Sequence, residues 1–552
     1  MDQTTQNLRS DAPAPASRYP ERLRAMFSIF AHHGRPLRGL MSTPKSPSFQ
    51  GRFGRMFRSL PAATYGTTDQ ESRQALMSLG AAMTSKLDPP KDGFDAEESG
   101  IPALYTYFGQ FIDHDITFDP MTTLIQHSDP DALTDFRTPA LDLDNVYGRG
   151  PGDQPYMYDS DGLKFLLGNK LDNGAPDLPR NSASPARALI GDPRNDENSI
   201  VSQFQALILR FHNRVVDENK NSLDFPSLQK IVRWHYQWVV IHDFLPRIIS
   251  ERVLKELKSG GKYDQHKLKF FHWKNEPFMP VEFSVAAYRL GHSMIRPGYR
   301  LNDDDTTLLP IFPIPETVPN APKGRISPGL TGFEAMAKNR GIDWGRFIDI
   351  GDPRAYGEDP DKTSPATADM KKRLQFAYRI DTSVVTPLSV LPDAVAQDQP
   401  RSLAQRNLLR GFELGLPTGQ SVAKAMGVQP LEDKYIIIGK AVDKPADGDV
   451  LGSIADLRQF DMFRGNCPLW TYILAEAART KAAVNIPVTP ATTIQTPQLG
   501  DVGGRIVAEV FLGMLFGDND SYLSADPEWT PTIGRVKGQF TLRDLVAYAL
   551  GQ

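Results

Sequence analysis

The sequence predicts a mainly α protein, a single large helical domain with long irregular loops and little β. Three observations predict it. Apolar residues recur at helical spacing in several well-separated segments. The 45 prolines and 43 glycines put much irregular chain between those segments. Only one short stretch, 431–451 with Tyr435-Ile-Ile-Ile438 between charged residues, reads as a small strand or local insertion.

Bulk properties narrow the function classes. The chain has 552 residues, 40% hydrophobic and 23% charged, with a formal net charge of −4. That balance advertises neither nucleic acid nor an anionic membrane as a partner. A single cysteine, Cys467, excludes an intramolecular disulfide and is expected to be a buried thiol. No apolar run reaches the roughly 18 residues of a membrane span. The N-terminus shows no basic start followed by an apolar core and a small-residue cleavage site, so a cytoplasmic or non-classically secreted location is expected. Oligomeric state is not encoded in any of these properties.

Residues 1–50, rich in Ala, Pro, Ser and Arg, read as a flexible arm with one short helix near 22–30, and residues 51–552 as the domain. A loop leads into a helix near 71–83, and the 88–100 segment breaks the pattern. The stretch 105–119, YTYFGQFIDHDITFD, is the most informative. As a helix it is largely apolar, yet Gln110, Asp113 and His114 fall at i, i+3 and i+4 and share one face. Burying that trio without partners costs about 1–3 kcal/mol per group, so a polar partner or a reaction site is required.

Asp142 and Asp144 alternate with apolar residues in the 137–148 loop, at a spacing that suits hard oxygen coordination of calcium, with Thr138 and the Ala140 carbonyl nearby. A solvated Asp turn explains the same residues. Arg194 and Glu197 precede an amphipathic helix over 200–216, where an exposed ion pair is the ordinary outcome. A helix from 227 to 245 is expected to stop at Pro246, with His235 and His242 as packing residues. Another over 283–294 ends in Arg289-Leu-Gly-His292, where the histidine reads either as a satisfied core residue or, since Gly291 would let a flat ligand approach, as a ligand. Residues 300–400 read as loops, the Asp303–Asp305 run as a solvated turn, 401–427 as a helix bearing Asn407 and Arg410, and 469–479 with 502–516 as a closing helix pair.

The order of these motifs resembles the animal-type haem peroxidases of the peroxidase–cyclooxygenase superfamily, from about Arg52 to the C-terminus, in a form without disulfides. FGQFIDHD resembles the family's distal-histidine motif and DLDNVYG its calcium loop. GDPRNDE resembles the distal-arginine motif, YRLGH the proximal-histidine segment, LAQRNLLRG the proximal-asparagine helix, and GGRIVAEVFLGMLFGD the C-terminal signature. The resemblance implies haem b and calcium as cofactors. His114 would be the distal base, Gln110 its neighbour beside the iron, and Arg194 the distal arginine. His292 would ligate iron with Asn407 on its other ring nitrogen. Asp113 and Glu197 match the carboxylates that form ester links to haem, and Arg289 and Arg410 the positions that hold propionates. Asp115, Thr138, Ala140, Asp142 and Asp144 would surround calcium.

The implied activity is reduction of hydrogen peroxide with oxidation of a halide, thiocyanate or small organic donor. Asn198 follows Glu197 where some members carry a methionine that makes a third haem link, which points away from chloride. The alternative is a haem-dependent fatty-acid dioxygenase of the same superfamily. Those enzymes place a tyrosine three residues before the proximal histidine; here that place is Arg289, with Tyr288 one step away.

Overall fold

In a computed structural model of the chain, the described residues are 53–86, 90–91, 95–117, 137–219, 222–314, 329–351, 372–396, 398–440, 448–486 and 492–552. The expected N-terminal arm and its short helix lie outside them, as do residues 118–136 and part of the 300–400 loops. The architecture is mainly α with small two-stranded sheets, as the periodicity predicts.

Helix α1 (Asp69–Ala82) opens on Thr68, whose hydroxyl accepts the Glu71 N–H while the Glu71 carboxylate accepts the Thr68 N–H. That reciprocal cap satisfies donors the first turn leaves open. Helix α2 (Leu104–Ile116) has no side-chain cap and buries 10 of its 13 residues. Phe108 and Phe111 meet Phe204 of α3 (Ser199–Asn219) and Tyr236 of α4 (Phe225–Val239) edge to face, with ring centroids 5.2–6.2 Å apart. Each such buried ring contributes about 1.5–3 kcal/mol, so neighbours on all sides fix the position of α2.

Beyond α4 the chain does not stop at Pro246. It widens into an i→i+5 turn, Val240–Phe244, and continues as a helical turn, Leu245–Ile248. Pro246 stands at the start of that turn, where a missing N–H costs little. The segment expected as a regular helix over 283–294 is also irregular. A wide turn, Glu282–Ala286, passes into a tight 3₁₀ turn, Ala287–His292, across Ala286 at φ −126° and ψ −72°. Changing pitch in this way re-aims the side chains that follow. The buried Glu282 carboxylate anchors the segment by accepting the Met56 and Phe57 N–H groups.

The expected 401–427 helix is two helices, α5 (Leu403–Glu413) and α6 (Gly419–Ala425), divided at Gly415 (φ +61°). Thr418 starts α6 by accepting the Ser421 N–H. Helix α5 packs on α1 so closely that a Cβ at Gly80 would lie 2.9 Å from the Gln405 nitrogen. Helices α7 (Leu469–Arg479) and α8 (Asp501–Gly517) pack behind the 287–292 turn, and α9 (Leu542–Leu550) closes over α3.

Strand β1 (Glu98–Pro102) pairs antiparallel with β2 (Phe376–Tyr378). A hairpin of β3 (Lys481–Ile486) and β4 (Thr492–Pro497), which periodicity did not reveal, runs beside it. The expected short strand is Ile437–Ile438, paired with Gly452–Ser453. Cys467 is buried, His242 stacks on Trp238 at 3.9 Å, and His235 Nε2 accepts from the Thr532 and Ile533 N–H groups. Asp303 is more than a solvated turn residue, since it accepts from the buried Arg346 guanidinium at 3.0 Å. Among the described residues no helix is long and apolar enough to cross a membrane.

Candidate haem site

One face of α2 and the 287–292 turn enclose a cavity of about 270 Å³. Gln110, Asp113 and His114 line it from α2, Glu197 from the loop before α3, and Tyr288, Arg289 and His292 from the tight turn. Thus a polar trio predicted from helical spacing meets a histidine some 180 residues further along the chain.

The His114 ring is oriented by a residue the sequence did not single out. Its Nδ1 lies 2.7 Å from Asn195 Oδ1, and Asn195 Nδ2 in turn donates to Gln205 Oε1 at 2.8 Å. With Asn195 Nδ2 turned toward Gln205, the Asn195 oxygen is the end that faces the ring. An oxygen opposite Nδ1 requires the proton there, so Nε2 keeps its lone pair, and among the described residues it has no protein partner. Burial, reinforced by the positive field of Arg194, lowers the His114 pKa to about 4. The imidazole is therefore a neutral acceptor at ordinary pH.

Gln110 is held at both ends. Its Nε2 donates to Glu197 Oε1 at 3.4 Å, and its Oε1 accepts from Asn198 Nδ2 at 3.2 Å. Asn198 Oδ1 accepts the Ile200 and Val201 N–H groups, so one side chain caps α3 and orients the cavity amide. Burial raises the Glu197 pKa to about 7, partly offset by Arg194 and Gln110. Asp113 Oδ1 accepts from Thr117 Oγ1 at 3.1 Å.

Arg194 departs from the expectation of a cavity-facing arginine and from that of an ion pair with Glu197. It is not among the cavity-lining residues. Its Nη2 donates to the His114 and Thr117 carbonyls at 3.1 and 2.6 Å and to Asp192 Oδ2 at 2.8 Å. A guanidinium at the carbonyl end of α2 is favourable there. Burial would raise the Asp192 pKa, but Arg194 and Arg137 outweigh it and hold the carboxyl below the usual range.

On the opposite wall, His292 Nδ1 and the Asn407 amide are 2.7 Å apart, with Nδ2 the atom placed there. The two ends of a carboxamide are nearly isosteric. With Oδ1 toward Nδ1 the ring N–H donates, and Nε2 is left as a bare lone pair. Burial, with Arg289 adding to it, lowers the His292 pKa to about 3, which keeps that lone pair free. Arg289 Nε donates to Ser284 O, and among the described residues its two Nη groups find no protein acceptor. Arg410 does not line the cavity, whereas Arg406, one turn earlier on α5, does.

These residues fit haem. A flat tetrapyrrole needs one neutral nitrogen ligand, a second polar wall opposite, and cations for its carboxylates, and the cavity offers all three. The fit to calcium is partial. Asp115 is fully buried, with Oδ2 accepting from Tyr236, and Oδ1 has no hydrogen-bond partner among the described residues. Burial first and the nearby Asp142 second push its carboxyl upward, as a cation would relieve. Asp144 is buried and not solvated, but it accepts from Thr138 Oγ1 at 3.4 Å and stands 3.9 Å from Arg137. The Ala140 N–H donates to the Thr138 carbonyl. Among the described residues no three His, Cys, Asp or Glu side chains converge as a metal-binding group.

Comparison with known proteins agrees with this geometry. The family model "Animal haem peroxidase" matches residues 126–321. Thyroid peroxidase of Rattus norvegicus is 28% identical over 31% of this chain, and chorion peroxidase of Drosophila melanogaster 26% over 28%. The matched segments span 21% and 20% of those longer relatives. By fold, the chain is similar to peroxidase A of Dictyostelium discoideum, with a TM-score of 0.55, 15% identity, and coverage of 89% and 93% of the two chains. It is also similar to the fatty acid alpha-dioxygenase of Oryza sativa, with a TM-score of 0.52, 15% identity, and coverage of 88% and 79%. Animal haem peroxidases are thus what part of the sequence resembles, and the fold of most of the chain is similar to that of a peroxidase and of an alpha-dioxygenase.

Proposed function

We propose that the protein is a haem peroxidase that reduces hydrogen peroxide and oxidises bromide, iodide, thiocyanate or small organic donors. The observation that carries this reading is the pair of neutral, fixed imidazoles, His114 and His292, on opposite walls of one cavity. Haem, when bound, supplies an iron that accepts peroxide and carries the oxidising equivalents. His292 Nε2 would hold the iron, with Asn407 fixing the ring's tautomer and strengthening it as a donor. His114 Nε2 takes the proton from one peroxide oxygen and returns it to the other, so one imidazole is base and then acid. Gln110 holds the small polar space beside it. Arg194 acts through His114, by clamping the end of α2 and keeping the ring neutral.

The purified holoprotein, assayed with peroxide against bromide, iodide, thiocyanate and phenols, is expected to turn over at least one of them. Oxygen uptake with linoleate in the absence of peroxide, and no peroxide turnover, would instead establish the dioxygenase reading. One feature favours that second reading: Tyr288 lines the cavity and donates to Gly109 O on α2 at 3.2 Å.

Two finer points belong to the same proposal. Asp113 and Glu197 each present a carboxyl to the cavity and are suited to ester links with ring methyl groups. After peroxide treatment, wild-type haem is expected to resist acid-acetone extraction while an Asp113→Val, Glu197→Gln double variant releases it. Calcium is proposed at Asp115, Thr138, Ala140, Asp142 and Asp144, supported by the unsatisfied Asp115 Oδ1; Asp144 would turn from Arg137 to join it. Removing the ion with a chelator is expected to lower the melting temperature and speed haem loss, and unchanged values of both would dismiss the site.

A further inference from the structure

Arg406 lines the same cavity and was not itself singled out in the sequence. It projects from α5, one residue before Asn407. Its Nη1 donates to the Asp398 and Pro400 carbonyls at 2.9 and 3.0 Å. Both bonds use one nitrogen. A guanidinium carries five N–H donors in a planar fork, and among the described residues the Nε and Nη2 groups of Arg406 find no protein acceptor. The side chain is therefore held in place by two carbonyls while its other donors stay available.

Its surroundings are apolar. Leu388, Leu391, Val395, Leu403 and Phe312 line the cavity with it, and Leu403 stands three residues before it on the same helix. A single fixed cation within an apolar wall is poorly matched to a small hydrated halide. It matches a molecule with an apolar body and one carboxylate, because guanidinium and carboxylate pair through two parallel N–H···O bonds.

We infer that Arg406 is an anchor for a carboxylate bound at the apolar wall of the haem cavity, supplied either by a side chain of the cofactor or by an organic donor acid. The inference rests on the peroxidase reading and extends it to a substrate class, aromatic or aliphatic acids with an apolar body. Arg289 serves the same chemistry beside His292, so the two guanidiniums, each with donors left over, are matched to two separate carboxylates.

The test compares wild type, Arg406→Ala and Arg406→Lys as holoproteins purified without peroxide. Two readouts are taken: the rate of haem transfer to excess apomyoglobin, and KM for 4-hydroxyphenylacetate against its neutral amide, two donors with the same phenol. A roughly tenfold rise in the acid-to-amide KM ratio for Arg406→Ala, with unchanged haem transfer and a smaller rise for Arg406→Lys, assigns the carboxylate to the donor. Haem transfer about tenfold faster assigns it to the cofactor. If Arg406→Ala matches wild type in both readouts, the inference is overturned. If wild type oxidises neither phenol, the peroxidase reading fails on its own account, and haem transfer still decides the role of Arg406.

Discussion

Replacing His292 by alanine is expected to give a folded protein without haem, with no Soret band and an unchanged far-ultraviolet circular dichroism spectrum. The ring is the one neutral nitrogen donor on its wall of the cavity, kept neutral by burial and by Arg289. Its removal opens space beside a cavity that already exists, so the core of α7 and α8 behind it is untouched. Asn407→Leu isolates the second half of the argument. It leaves the ring but removes the amide 2.7 Å from Nδ1. Loss of such a partner weakens metal binding about 10–100-fold, so haem is expected to bind but to leave faster. A normal Soret band in purified His292→Ala would remove His292 from the iron.

The second large effect is expected at His114. With His114→Gln, haem should remain while peroxide turnover falls by about 10²–10⁴, the usual contribution of a positioned acid and base. Asn195→Leu leaves the imidazole in place and removes only the acceptor at 2.7 Å from Nδ1. The proton is then free to sit on Nε2, the atom that must accept one. A fall on the order of tenfold or more is expected from the wrong tautomer alone. Stopped-flow measurement of the reaction with peroxide separates the two variants from any effect on donor oxidation. Turnover equal to wild type in Asn195→Leu would mean that some other contact sets the ring.

Much of this was legible because the signals are local. Gln110, Asp113 and His114 share a face by helical spacing, and 3.6-residue periodicity marks α2, α3, α4, α7 and α8. Other features depend on contacts across the chain. Asn195 meets His114 from 81 residues away, and Asn407 meets His292 from 115. Nothing in the pattern of the 191–198 loop distinguishes an arginine that faces the cavity from one that caps α2, since either satisfies five donors. Arg406 and Arg410 stand one turn apart, and only the packing of α5 on α1 decides which of them reaches the cavity. The change of pitch across Ala286 was likewise hidden, because an apolar run looks the same in wide and tight turns. The paired strands β3 and β4 did leave a trace in their Val- and Thr-rich alternation, but two short strands half exposed to solvent give a weak signal.

Asp192 sits with no exposed side-chain surface between Arg137, at the start of the 137–148 loop, and Arg194, which holds the end of α2. At high salt the Debye length shrinks to about 3 Å and exposed ion pairs lose most of their strength, whereas enclosed ones are screened far less. The clamp of Arg194 on the end of α2 is therefore insulated from ionic strength. For the proposed oxidation of halides, this junction lets the supply of anions change without loosening the end of α2 that carries His114.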